Sequence, residues 1–576
     1  MTSILKDSRA IIARAAKAPA RLLLLLMATC MITIGAQATG DAKADALFEA
    51  YFEEYLALYP LIATQTGDHR YDDTFSITIS ENHRTKQQAF SQKYIAELDG
   101  LDAADLSAER KLSADLLRYT LQQQLDRLKF PDHLIPINTM SNFPDEFATL
   151  GAGGGDHPFT TADDFRNFRS RMLQFGPWVD VAIANMREGM KKGVVLPRVV
   201  AEWSIRMIAA HVVEDTAESK FSEPLKNLPS DMCADQQATF SAAYRATITE
   251  DVIPAYARLV DFMQNEYLPK ARDTVAWQAL PNGKAWYESY LRFWTTTNMS
   301  AEQIHALGLK EVKRIKAALD AATEAAKTAE PAIRYGTESE LIGAYNALLA
   351  RINPKLDTLF GFRPKTPFII KGTHLGTHYR PGTTDGTRPG MFMLSTGNLA
   401  QRQAAVSEAL FIHEAIPGHH YQIALQQEAD LPAFRQNLYM YAYQEGWGLY
   451  AESLGEQLGL YQTPATQIGR LNSEIFRAIR LVVDTGMHSK GWTIEQASDY
   501  FDENIGFRPQ RELVRYVSWP GQALTYKIGE LKIIELRDRL KAKQGAAFDI
   551  RDFHRTVLMA GPVPLAILEQ LLLGAS

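Results

Sequence analysis

Residues 406–427 read VSEALFIHEAIPGHHYQIALQQ, and within them lies His413-Glu414-Ala415-Ile416-Pro417-Gly418-His419-His420. In a zinc helix of the His-Glu-x-x-His kind, two imidazoles one turn apart meet a single ion at about 2.0–2.1 Å, and the Glu beside the first takes a proton from water. The spacing here is longer. Pro417 stands where the second His belongs, and the next histidines come six and seven residues after His413. On a straight helix six residues turn about 600°, which points His419 about 120° away from His413. Seven residues return His420 to the same side, but about 10 Å further along the axis. A shared metal therefore requires the helix to break. Pro417 has no N–H to donate, and its ring collides with the carbonyl of His413 four residues back; Gly418 accepts unusual dihedral angles at low cost. With Ile416-Pro417 bulged out, the spacing His-Glu-Ala-Gly-His remains. His413 and His419 are then the expected ligands and Glu414 the expected base, with His420 as the alternative second ligand.

A third ligand is expected from a neighbouring helix. Residues 445–452 read EGWGLYAE, and Glu445 lies 26 residues after His419. That interval holds the rest of the first helix, a turn near Asp430-Leu431-Pro432 and the start of a second helix. Glu445 is the expected ligand; Glu452, two turns on and on the same face, is expected as support or core pairing. Two His and one Glu with a fourth position open to water make a catalytic rather than a structural zinc site, so Zn2+ is the expected cofactor.

Working outward, residues 364–398 break the helical pattern. Phe368-Ile369-Ile370 and Met391-Phe392-Met393-Leu394 read as short strands joined by a Gly/Pro/Thr-rich connection that includes residues 381–386. Such a sheet is either a simple hairpin or an edge that holds an extended substrate by strand addition. His374, His378 and Arg380 lie in it; they are either loop residues or binders of a substrate carboxylate. Residues 130–160, rich in Pro and Gly, read as a surface loop. Elsewhere apolar stripes recur at helical spacing: Phe48, Phe52, Tyr55 and Tyr59, stopped by Pro60; Leu112, Leu116, Leu117, Leu121, Leu125 and Leu128; Ile304, Leu307, Val312, Ile315 and Leu319. The expected fold is mostly α: one large helical body over residues 39–576, with a small β-sheet beside a zinc-binding helix pair.

The 576 residues are 46% hydrophobic and 22% charged, an ordinary globular balance. Net charge is −6, and residues 1–38 hold five basic side chains (Lys6, Arg9, Arg14, Lys17, Arg21) against Asp7 alone, so the remainder is more acidic still. That argues against nucleic acid as a partner. The same 38 residues have the form of an export signal: a basic stretch, an apolar run from Leu22 to Ile34 too short to span a membrane comfortably, and Ala36-Gln37-Ala38 as a small-residue cleavage pattern. A periplasmic or secreted protein is expected, with an uncleaved N-terminal anchor as the only expected membrane contact. A lipoprotein processed at Cys30 is the lesser alternative, because Thr29 is a poor residue for that position. Cleavage leaves Cys233 as the one cysteine, which excludes an intrachain disulfide and a thiolate metal site.

Five ordered motifs carry a resemblance. HEAIPGHH, EGWGLYAE, VVDTGMH at 482–488, PGQALTYKIG at 520–529 and GPVPLAILE at 561–569 resemble the bacterial family called domain of unknown function 885, from about residue 43 to the C-terminus. That family is similar, at a distance, to helical zinc carboxypeptidases and oligopeptidases. The resemblance implies His413 and His419 as ligands, Glu414 as base, Glu445 as third ligand and Tyr526 as a donor to the transition state, with Tyr516 the weaker candidate. His488, in its Gly- and Thr-containing stretch, is a further expected catalytic residue. The expected activity is zinc-dependent hydrolysis of peptide bonds, in short peptides by analogy. The alternatives are a zinc amidase or esterase on a non-peptide substrate, and a non-catalytic exported binding protein.

Overall fold

The computed structural model of the protein describes residues 17–230, 233–328, 332–374, 376–383 and 388–574. Residues 1–16 of the expected leader, the side chains of residues 17–36, and residues 384–386 of the expected inter-strand connection lie outside them. Among the described residues no helix is long and apolar enough to cross a membrane.

The chain divides into two compact units. Among the described residues, the smaller comprises residues 17–55, Lys86–Leu125 and Pro432–Phe434. It is built on helices α1 (Lys17–Leu58), α2 (Glu81–Asp99) and α3 (Ala108–Leu128). Its core takes Phe48 from the first apolar stripe and Leu116, Leu117 and Leu121 from the second, all buried, while Tyr51 packs on Phe90 and Tyr94 at 5.4 and 5.2 Å between ring centroids. Helix α1 stops two residues before Pro60, which opens the next helix, as a residue without an N–H should.

The larger unit holds α4 (Ala162–Lys192), α5 (Gly283–Thr295), α6 (Ala301–Ala326), a three-stranded sheet, and then α7 (Glu408–Glu414), α8 (His419–Glu428), α9 (Tyr441–Ser453), α10 (Pro464–Lys490), α11 (Gln510–Ser518) and α12 (Thr525–Gln544). The third stripe buries Ile304, Val312, Ile315 and Leu319 of α6 in one core with Ile475, Ile479 and Val482 of α10. Lys527 of α12, fully buried, lies 2.8 Å from Glu474 on α10, 3.4 Å from Glu311 on α6 and 2.6 Å from Glu530 on its own helix. Buried charge is tolerated only when paired, so this cluster fixes the register of three helices, including the one that carries Tyr526.

The mostly helical class with a small sheet is as expected. Strands β1 (Phe368–Thr373) and β3 (Gly390–Ser395) contain the two apolar runs, and β2 (His378–Arg380) is a third strand. Order is β1-β3-β2. The hairpin alternative does not hold: β1 and β3 pair in parallel, Phe368 opposite Gly390, and β2 pairs antiparallel with β3, Tyr379 opposite Phe392. A tight turn cannot join parallel neighbours, and the connection instead carries the edge strand β2. Residues 130–160 also differ from a plain loop. Phe143–Gly151 is helical, capped by the Asn142 side chain, with Pro144 in its first turn.

Candidate metal centre

Helix α7 is capped by Ser407, whose side chain accepts from the N–H of Leu410, and it ends at Glu414. Ala415 leaves the helical region (φ −106°, ψ −104°), the Ile416–Pro417 peptide bond is cis, and Gly418 (ψ −128°) leads into α8 at His419. Trp447 of α9 donates its indole N–H to the carbonyl of Pro417 at 2.9 Å, pinning the break from the neighbouring helix. The expected disruption at Pro417 is thus a complete division into two helices, with the bridging residues 415–418 buried.

Nitrogens of His413 and His419 and an oxygen of Glu445 converge, all within 4.8 Å of one another. Oε2 of Glu445 lies 3.5 Å from Nε2 of His413 and 3.4 Å from Nε2 of His419. Tetrahedral bonds of about 2.05 Å set ligand atoms roughly 3.3 Å apart, so these separations fit a zinc ion and this donor set suits it. Behind the trio, Nδ1 of His413 donates to Oε1 of buried Glu452 (2.9 Å), which also lies 3.8 Å from Arg477. That bond leaves the lone pair of His413 Nε2 directed at the trio, the arrangement that orients a metal-binding imidazole. Glu452 therefore takes the supporting role.

Two glycine contacts in the EGWGLYAE motif build this geometry. A Cβ on Gly448 would stand 2.8–3.0 Å from three atoms of the His413 ring. A Cβ on Gly446 would stand 2.5 Å from Cα of Gly529. The first leaves room for the imidazole; the second lets α9 touch, backbone to backbone, α12, the helix that carries Tyr526 to the His413 ring.

The charges agree with a cation site. Burial disfavours the charged form of Glu445, yet His413 and His419 hold its carboxyl well below the usual range. Burial also opposes protonation of His413, but Glu445 and Glu452 on its two nitrogens, with Glu414 nearby, raise it to about 9. Three carboxylates thus surround one imidazole. Glu414 does not join the trio. Its Oε2 accepts the backbone N–H of Tyr379, on the edge strand β2, at 2.9 Å. His420 points elsewhere: its Nδ1 hydrogen-bonds the hydroxyl of Tyr379 (2.9 Å), its ring packs on Phe368 (4.9 Å), and burial pushes it down to about 4. The geometry selects His419 over His420 for the trio.

Tyr526 stands at the site. Its ring lies 6.0 Å from that of His413, its hydroxyl accepts from Nη2 of Arg515 (3.4 Å), and the Arg480 guanidinium covers its face at 4.7 Å. Tyr516 is fully buried and bonds Arg480 and Glu512 instead. His488, expected as catalytic, does not stand at the trio. It is fully buried, bonds the carbonyl of Tyr516 through Nε2 (3.0 Å) and packs on Tyr287 (5.2 Å); burial pushes it down to about 3. It lies eight residues beyond Arg480 on α10, about 12 Å further along the helix, so it does not reach the trio. The motif around it is architectural: Asp484 accepts the N–H of Gly521 (3.0 Å) and the hydroxyl of Tyr287 (2.6 Å), anchoring the turn that leads to Tyr526. Arg380, considered for a substrate carboxylate, pairs with Asp156 at 3.2 Å.

Sequence reasoning missed Tyr379, Tyr439, Tyr441 and Arg515. Tyr439, exposed, and Tyr441, half-buried, pack edge to face at 4.5 Å, and burial, then the charge of Glu445, raises the hydroxyl of Tyr441. The tyrosines immediately before EGWGLYAE were the available signal for the last pair.

No curated protein matches the sequence. Among solved structures, a crystal structure of a candidate lipoprotein from Colwellia psychrerythraea is 25% identical with a TM-score of 0.84, covering 92% of this chain and 98% of that one. A candidate lipoprotein of unknown function from Shewanella oneidensis, 17% identical, has the same fold with a TM-score of 0.70 over 92% of this chain and 99% of that one. The model of the family described as "Bacterial protein of unknown function (DUF885)" matches residues 60–572. The expected family is therefore the right one, and this chain belongs to DUF885.

Proposed function

We propose that the protein is an exported zinc-dependent metallopeptidase. The observation that carries the proposal is the convergence of His413, His419 and Glu445 with Glu414 adjacent to the first ligand. A zinc ion held there supplies Lewis acidity toward an amide carbonyl and makes water more acidic. Glu414, oriented by the Tyr379 N–H, takes a proton from the attacking water and passes it to the leaving amine nitrogen. Tyr526, its oxygen held by Arg515, turns its proton toward the oxyanion that develops on the carbonyl. The backbone of β2 runs past Glu414, which favours an extended peptide lying along that edge. Export rests on the form of residues 1–38 and on the lipoprotein descriptions of the two similar structures.

The test pairs wild type with Glu414→Gln. Zinc content is measured by plasma mass spectrometry, and cleavage of a mixed peptide library by mass spectrometry of the products. The variant keeps its zinc and loses roughly 10²- to 10⁴-fold in rate, the range for a general base. A zinc-loaded wild type that cleaves no peptide sinks the proposal.

A further inference from the structure

A cavity of about 390 Å³, lined by no residue of the trio, is not used by the proposed chemistry. Its aromatic wall is Trp277, Tyr290, Trp294 and Trp519, and Arg84, Asp132 and Arg272 also line it. Trp277 meets Tyr290 edge-on at 5.0 Å, and Trp294 lies 5.7 Å from Trp519. The indole N–H groups of Trp277 and Trp294, side chains more than nine-tenths buried, have no hydrogen-bond partner. The rings themselves line the cavity, and such faces and edges suit an aromatic guest, which packs on them by offset or edge-to-face contact.

Two connections join this cavity to the trio. Trp294 packs edge-on against Tyr441 at 4.7 Å, and Tyr441 precedes Glu445 by one turn of α9. Residues 517–520 line the cavity, and the same segment reaches Tyr526 six residues later. One turn of helix separates side chains by about 5–6 Å, so the cavity wall stands on the order of 10 Å from Glu445. An extended peptide advances about 3.3 Å per residue, which makes that distance about three residues.

We propose that this cavity is a subsite for an aromatic side chain of the peptide substrate, about three residues from the bond that is cut. The proposal rests on the peptidase reading, but binding tests it without turnover. Glu414→Gln protein is titrated with acetylated alanine heptapeptide amides, one all alanine and the others with a single Phe placed in turn at each position, and tryptophan fluorescence is followed. Burying a Phe side chain corresponds to roughly ten- to a hundredfold in affinity. The best Phe peptide is expected to bind at least tenfold tighter than the alanine peptide. Trp519→Ala abolishes that difference, and Trp294→Phe, the milder change, reduces it. With wild type, mass spectrometry of the products is expected to place the cut two to four residues from Phe. Equal binding of Phe and alanine peptides, or a preference unchanged in both Trp variants, overturns the subsite. Tight Phe binding without cleavage by wild type keeps the subsite and removes the peptidase.

Discussion

The sharpest consequence of the divided helix is that two adjacent histidines behave differently. His419→Ala removes one of three donors from the trio; His420→Ala removes none. Structural zinc sites with four ligands bind with about 10–16 kcal/mol, or roughly 3 kcal/mol per ligand, so losing His419 weakens zinc affinity by at least about a hundredfold. His420→Ala loses a hydrogen bond to Tyr379 and the packing on Phe368, at a cost of about 1–3 kcal/mol in folding stability. Zinc affinity then stays within about threefold of wild type. Activity still falls in that variant, because Tyr379 is the residue whose N–H orients Glu414. Competition with a chromophoric chelator gives the affinities, and thermal denaturation of the metal-free proteins gives the stabilities. Equal loss of zinc in both variants, or loss in His420→Ala alone, refutes the assignment of the trio.

Three further outcomes follow from named contacts. Gly448→Ala pushes a methyl against the His413 ring; overpacking of this kind costs about 1–3 kcal/mol, read as a lower melting temperature together with weaker zinc binding. Glu452→Gln keeps an acceptor for His413 but loses its charge, and zinc affinity drops roughly ten- to a hundredfold in the same chelator assay. Burial lifts the carboxyl of Asp484 to about 7, against the hydrogen bonds from Tyr287 and Gly521, whereas an unfolded Asp titrates near about 3.9. Its folded pKa is the higher one, so its contribution is complete below about pH 4 and is lost as pH rises toward 7, by at most about 1.4 kcal/mol per unit. Urea denaturation at several pH values should show that loss in wild type and its absence in Asp484→Asn.

Much of this site was legible because its decisive features are local. The collision of Pro417 with the His413 carbonyl is a property of five consecutive residues, and it sufficed to expect that His413 and His419 converge. EGWGLYAE brought Glu445 and Glu452 forward together because both lie on one face of one helix, and both meet the His413 ring. His488 misled because its motif looked chemical; its neighbours Asp484, Tyr287 and Tyr516 come together only when α5, α10 and α11 pack. Tyr379 gave no signal, since it reaches Glu414 from a strand 35 residues earlier.

The sequence by itself determined the helical class, the disruption at Ile416-Pro417 and the family, because periodicity, proline geometry and motif order act over short stretches of chain. The tertiary structure decided which imidazole joins the trio, which way His488 faces, that β1 and β3 run parallel, and that Trp294 of an aromatic cavity packs on Tyr441, one turn from Glu445. Each of these depends on how separate helices and strands are rotated and spaced against one another, and packing sets those quantities through contacts between residues far apart in the chain.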